Sequence, residues 1–144
     1  MKVVRRGAHP QPATVRDLMS HSVVAGDPRH TLVKAAAEMR AHRISALAVL
    51  DNGAIVGIIT ERDLLRAIAD GRDPGQTYVS QYMTQSPRTV EASELAMTAA
   101  AVMIRHRVRH LPVTDKGRLI GFLSARDLLS LTPWPKELPI AEPW

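Results

Sequence analysis

The stretch Gly57-Ile58-Ile59-Thr60-Glu61-Arg62-Asp63-Leu64-Leu65 returns 64 residues later as Gly121-Phe122-Leu123-Ser124-Ala125-Arg126-Asp127-Leu128-Leu129. In both copies a short apolar run opened by glycine ends on a hydroxyl residue, and an aspartate follows three positions on. A run of that kind giving way to Thr/Ser-x-x-Asp reads as a strand passing directly into a capped helix. Extending the same offset outward aligns Val15–Ile68 with Val79–Thr132 without a gap, and 18 of the 54 pairs are identical. Met19 falls on Met83, Ala35-Ala36-Ala37 on Ala99-Ala100-Ala101, Met39 on Met103, His42-Arg43 on His106-Arg107, and Asp51-x-Gly53 on Asp115-x-Gly117. Unrelated segments do not hold one register over such a distance, so the chain is an internal duplication.

Each copy predicts the same order of elements. A helical turn opens at Thr14, whose spacing to Asp17 is that of a capping box, and its counterpart lies at Val79–Met83. A short extended segment follows, at Val23–Ala25 and near Arg88–Val90. An amphipathic helix comes next over Leu32–His42, with Leu32, Ala35, Ala36 and Met39 on one face, and over Ser93–His106 in the second copy. Two strands are expected at Ala46–Leu50 and Ile55–Ile59 around Asp51-Asn52-Gly53, and at Leu111–Thr114 and Leu119–Leu123 around Asp115-Lys116-Gly117. A last helix opens after Thr60 and again after Ser124. The expected organisation is a tail over 1–12, repeat 1 over 13–69, a polar turn-rich linker over 70–77, repeat 2 over 78–132, and a Pro- and Trp-containing tail over 133–144. A unit of 54 residues is too small to bury an adequate core alone. The two repeats should therefore pack into one α/β globule about a pseudo-twofold axis, with any ligand cleft between them.

Composition narrows the function. The chain has 144 residues, 45% of them hydrophobic and 23% charged, which is a globular balance. Only 3% are aromatic, so the core is built from Val, Ile, Leu, Ala and Met. There is no cysteine, which excludes a disulfide scaffold, thiolate metal sites and thiol catalysis, and fits a reducing compartment. No apolar run is long enough to span a membrane, and the basic start Met1-Lys2-Val3-Val4-Arg5-Arg6 lacks the apolar stretch of a secretory signal; a cytoplasmic protein is expected. The formal net charge of +5 permits contact with phosphates or nucleic acid. No phosphate-cradling Gly-x-Gly-x-x-Gly or Walker loop, nucleophile elbow or His-Glu-x-x-His is present, and an enzyme is not expected.

The doubled Thr/Ser-x-x-Asp junction has a purely local reading, in which Thr60 with Asp63 and Ser124 with Asp127 simply cap their helices. The same geometry has a chemical reading. A helix N-terminus favours anions, a hydroxyl binds phosphate, and a carboxylate accepts both hydroxyls of a ribose. Two copies facing one cleft favour that second reading. The basic run Arg105, His106, Arg107, Arg109, His110 also divides. Arg105 and Arg107 suit the dipole at a helix C-terminus. Arg109 and His110, just before a strand, read either as part of a solvated basic face at the helix end or as residues facing a cleft. For Arg62 and Arg126, surface salt bridges are the expectation. His106 and His110 have no acidic or thiolate companion in sequence, so no metal site is expected.

The Met19 and Met83 openings, the Ala-rich helices ending in His-Arg, the strands Leu47-x-Val49-x-Asp51 and Leu111-Pro112-Val113-x-Asp115, and the closing Gly-x-x-Thr/Ser-x-x-Asp together resemble tandem cystathionine-β-synthase (CBS) domains, the pair called a Bateman module. The resemblance runs from Thr14 to about Leu131. It implies two βαββα repeats and clefts that take adenosine compounds: AMP, ADP, ATP or S-adenosylmethionine. Carried over, Thr60 would touch phosphate and Asp63 the ribose, with Arg109 and His110 completing that cleft from the other repeat. Ser124 and Asp127 would work with Ser45 and Ala46 in the mirrored cleft. Ser22 and Val23, and Ser86, Pro87 and Arg88, would flank the base. Ala48 stands where repeat 2 has Pro112, a departure from the family's Leu-Pro-Val. Because Arg109 has no cationic counterpart at Ser45, the Thr60/Asp63 cleft is expected to be the better nucleotide site.

The resemblance thus implies a regulatory module that senses adenosine nucleotides and signals to a partner protein, needs no cofactor beyond that ligand, and forms a homodimer. A ligand-free interaction or scaffold module is the alternative. Nucleic-acid binding is a third, but Tyr78, Tyr82 and Phe122 are too few for a stacking platform. The tail with Trp134 and Trp144 reads either as a docking arm or as a free end.

Overall fold

The computed structural model describes residues 12–21 and 23–131. The expectations for Ser22, for the N-terminal tail up to residue 11 and for the C-terminal tail with its tryptophans lie outside the described residues. Repeat 1 contributes α1 (Val15–Leu18), β1 (Ala25–Gly26), α2 (Leu32–His42), β2 (Ala46–Asp51), β3 (Ala54–Thr60) and α3 (Glu61–Ala69). Repeat 2 gives α4 (Val79–Tyr82), β4 (Thr84–Gln85), β5 (Val90–Glu91), α5 (Ala96–His106), β6 (His110–Asp115), β7 (Arg118–Ser124) and α6 (Ala125–Leu128), closed by a 3-10 turn at Leu129–Leu131. Each repeat thus holds the expected βαββα unit.

The two copies match in detail. Arg43 and Arg107 end α2 and α5 in the left-handed region at φ 53. That conformation is more often given to glycine or asparagine, and it swings the chain from helix into strand. Gly53 and Gly117 both turn their hairpins at φ 79. The hairpins are antiparallel with a register shift at Val49/Leu50 and at Val113/Thr114, and β1 and β5 join β2 and β6 in parallel.

Several boundaries differ from the sequence reading for identifiable reasons. β1 begins at Ala25, two residues later than expected. α5 begins at Ala96 rather than Ser93, because the Ala96 N–H donates to Ala13 O (2.9 Å) and Leu95 is held extended beside Thr14. α6 is one turn where a longer helix was expected. Ser130 Oγ donates back to the Asp127 carbonyl at 2.8 Å, offering the backbone an alternative to helix.

The sequence reading gave each repeat its own opening turn; the structure exchanges them. Val15 of α1 and Met19 just after it are buried with Val90, Ala99, Met103, Leu111, Val113 and Leu123, which is the core of repeat 2. Val79 and Tyr82 of α4 are buried with Leu32, Met39, Leu47, Val49 and Ile59, the core of repeat 1. Backbone bonds fix both exchanges in the same way. Val15 N–H donates to Glu94 O and Arg16 N–H to Ala92 O, while Val79 N–H donates to His30 O and Ser80 N–H to Pro28 O. The unexpected β4 is part of this arrangement, pairing antiparallel with β3, and Ser20 bridges to Phe122 on β7 in the same sense. The glycines that open the duplicated stretch make the approach possible. A Cβ on Gly57 would sit 2.6 Å from Met83 Sδ and 2.9 Å from Thr84 O.

Candidate functional site

The strand-to-helix junctions form as capped turns. Thr60 N–H donates to Asp63 Oδ2 at 2.9 Å, and Ser124 N–H to Asp127 Oδ2 at 2.8 Å. The first amide of each following helix is also taken, Glu61 N–H by Ser45 O (3.0 Å) and Ala125 N–H by Arg109 O (2.8 Å). The helix N-termini therefore have fewer donors left for an anion than the sequence suggested, and cationic side chains must supply more of the binding.

Both junctions line one continuous cleft of about 1540 Å³ between the repeats, larger than the usual pocket for a single small ligand. Of the residues expected at the site, Thr60, Asp63, Arg109, His110, Ser124, Asp127, Ser45, Ala46, Ser86, Pro87 and Arg88 all line it. Val23 does not; its neighbour Val24 does, because β1 starts later than expected. The wall is apolar at Ile58, Val108 and Phe122, a surface suited to a base.

Charge is the cleft's second property. Arg43, Arg62, Arg88, Arg107, Arg109 and Arg126 line it against three carboxylates, Glu61, Asp63 and Asp127. None of the six arginines forms an ion pair among the described residues. The salt bridges expected for Arg62 and Arg126 are thus not made among the described residues, and Arg107, assigned on sequence to a helix end, also faces the cleft. Arg43 and Arg107 escaped the sequence reading as site residues because their place depends on the left-handed turn that follows each helix.

Main-chain pairing keeps Ser45 beside α3 and Arg109 beside α6, each within its own repeat. Contact across the repeats runs through side chains: Ser45 Oγ and His110 Nε2 lie 2.9 Å apart, within hydrogen-bond distance. His110 packs edge-on to Phe122, with ring centroids 6.5 Å apart. Burial, and then Arg109 beside it, hold His110 below the usual histidine range; Glu61 and Asp127 oppose this. A histidine whose folded pKa is depressed adds stability above its unfolded pKa of about 6.5 and loses it as pH falls through that value. Acidification below about pH 6.5 should therefore lower the wild-type melting midpoint more steeply than that of His110→Gln. Parallel slopes in thermal scans would refute this.

Among the described residues, no group of three His, Cys, Asp or Glu is placed to hold a metal ion, and no helix is long and apolar enough to cross a membrane.

The CBS domain family model matches residues 15–70 and 79–132. The CBS domain-containing protein YhcV of Bacillus subtilis is 34% identical over 117 residues, covering 81% of this chain and 83% of that protein. The chain spans as little as 17% of other curated relatives. Among solved structures, the CBS domain pair of protein MJ0100, in complex with 5-methylthioadenosine and S-adenosyl-L-methionine, superposes with a TM-score of 0.77 at 25% identity, over 83% of this chain and 95% of that one. A hexameric CBS-CP12 protein from bloom-forming cyanobacteria does so with a TM-score of 0.81 at 25% identity, over 92% and 81%.

Proposed function

The chain belongs to the CBS domain family, as two repeats in tandem, and on that premise we propose that it is a cytoplasmic regulatory module, not an enzyme, that senses adenosine nucleotides and passes their occupancy to a partner protein. The observation that carries this reading is an inter-repeat cleft holding both Thr/Ser-x-x-Asp carboxylates and six arginines outside any ion pair among the described residues. Each part of a nucleotide has a counterpart. The apolar wall takes the base, a carboxylate accepts the ribose hydroxyls, and a guanidinium fork binds phosphate, worth about 1.5–3 kcal/mol per charge-assisted hydrogen bond.

The charge balance orders the candidates. S-adenosylmethionine brings a sulfonium cation into a cleft already rich in arginine, whereas AMP, ADP and ATP bring the opposite sign. The phosphorylated compounds are therefore the preferred ligands, with affinity falling as salt rises. Binding acts on a partner through differential affinity for two packings of the repeats. Leu65 and Ile68 on α3 and Met97 on α5 are exposed large apolar side chains, and they support a homodimer.

Thermal unfolding with AMP, ADP, ATP and S-adenosylmethionine tests the reading, with light scattering on the same samples for the dimer. Ligand at about 100 times its dissociation constant adds about 2.7 kcal/mol and should raise the midpoint by several degrees. If none of the four moves the midpoint at millimolar concentration, the nucleotide reading fails and a ligand-free interaction module takes its place. A monomeric mass would remove the dimer.

A further inference from the structure

The two halves of the cleft look alike in sequence, yet their carboxylates are not equally available. We propose that Arg66 occupies the ribose-facing oxygen of Asp63, so that the halves fill in a fixed order, with the Ser124/Asp127 half first. The inference rests on the adenosine reading above and adds to it a residue that sets which half binds tightly.

At Asp63, Oδ2 accepts the Thr60 N–H at 2.9 Å and the Thr60 hydroxyl at 3.1 Å. Oδ1, the oxygen the cap does not use, lies 3.4 Å from Arg66 Nη1. Arg66 is itself anchored. Its Nη2 donates to the Tyr82 carbonyl at 3.0 Å, and its guanidinium carbon stands 5.4 Å from the centroid of the Tyr82 ring. Tyr82 in turn donates its hydroxyl to Asp70 Oδ2 at 2.8 Å. Asp63 is buried, only 6% exposed.

At Asp127, Oδ2 caps its helix as in the other half, but the carboxylate forms no ion pair among the described residues. The residue at the position of Arg66 is Ser130, whose hydroxyl donates to the Asp127 backbone carbonyl and leaves the carboxylate alone. Asp127 is also only partly buried where Asp63 is buried. A ribose donating its two hydroxyls therefore meets an open oxygen at Asp127 and an oxygen already bound to a cation at Asp63.

This reverses the order expected from Arg109. A cation acts on phosphate through space, and six arginines share one cleft, so a single arginine separates the halves weakly. A sugar diol, by contrast, reads only the carboxylate it touches. The guanidinium of Arg66 is largely solvent-facing, so its pairing with Asp63 is weak enough to yield at higher ligand concentration. The result is sequential filling. Since Tyr82 lies on α4, the exchanged segment of repeat 2, the second filling pulls on the packing between repeats.

Calorimetric titration of the full chain with AMP tests the order. Wild type should show two binding events. Asp127→Asn, which keeps a capping oxygen and loses the charge, should abolish the tighter event, and Asp63→Asn should spare it. Arg66→Ser should tighten the weaker event about two- to fivefold, and Arg66→Lys, which retains a cation, should stay near wild type. Loss of the tighter event in Asp63→Asn overturns the proposal, as does an unchanged or weakened second event in Arg66→Ser. The two aspartate variants decide the order even if Arg66→Ser does not fold. No binding by wild type or any variant is a different outcome, since it removes the adenosine reading and this inference with it.

Discussion

Gly121→Val should be among the most damaging single substitutions in the chain. An ideal Cβ at Gly121 would lie 2.5 Å from the Ser20 carbonyl oxygen and 2.9 Å from Met19 Sδ, and Ser20 is backbone that has nowhere to go. It is tied to β7 twice, Ser20 N–H donating to Phe122 O at 2.8 Å and Phe122 N–H to Ser20 O at 3.1 Å. Overpacking of a tight contact costs about 1–3 kcal/mol, and each displaced hydrogen bond adds about 1 kcal/mol. A total of about 2–4 kcal/mol should lower the melting midpoint by roughly 10 °C. Gly26→Ala is the control, because its nearest neighbour would be Leu47 Cδ1 at an ordinary 3.7 Å. If Gly121→Val melts with Gly26→Ala, the tight crossing is not what the glycine serves.

Leu111→Ala should cost as much or more, about 3–5 kcal/mol. Leu111 is fully buried at the start of β6, among Leu123, Met103 and the exchanged Val15 and Met19. The cavity left by its side chain would therefore open between pieces of both repeats. Neither repeat closes its core with its own opening segment, so the loss should shift one transition for the whole molecule rather than melt repeat 2 alone. Urea unfolding followed by circular dichroism reads this directly. Two separated transitions, with only one of them moved, would show that the repeats fold as independent units.

Most of the architecture was legible because duplication makes each element a second witness for its twin. The helix at Leu32–His42 and all four hairpin strands follow from periodicity and from the Asp-x-Gly turns. The exchange of α1 and α4 was not legible. Val15 and Val79 are apolar in either arrangement, and nothing local says which core a four-residue helix enters. The glycines at 57 and 121 were the one available sign, since a glycine inside a strand often marks a close backbone approach.

The site divides in the same way. Thr60, Asp63, Ser124 and Asp127 came from a repeated motif, and Arg109 and His110 from the resemblance together with their place before a strand. Arg43 depended on a turn whose shape the sequence does not state. Arg66 was visible in principle, because residues three apart on a helix meet, and Asp63 with Arg66 has that spacing where Asp127 with Ser130 does not. What spacing could not show is that Arg66 is also held by Tyr82 from the other repeat.

The reciprocal seating of α1 and α4 has a consequence for how such a chain arises. Each half carries both the segment its counterpart lacks and the groove that receives the counterpart's segment, so each half is complementary to a copy of itself. Two molecules of a single-repeat ancestor would already possess an isologous interface with twofold symmetry. Fusing their genes head to tail would join partners that fitted beforehand. Once joined, the halves were free to diverge, and an arginine at 66 opposite a serine at 130 is what that freedom looks like in this chain.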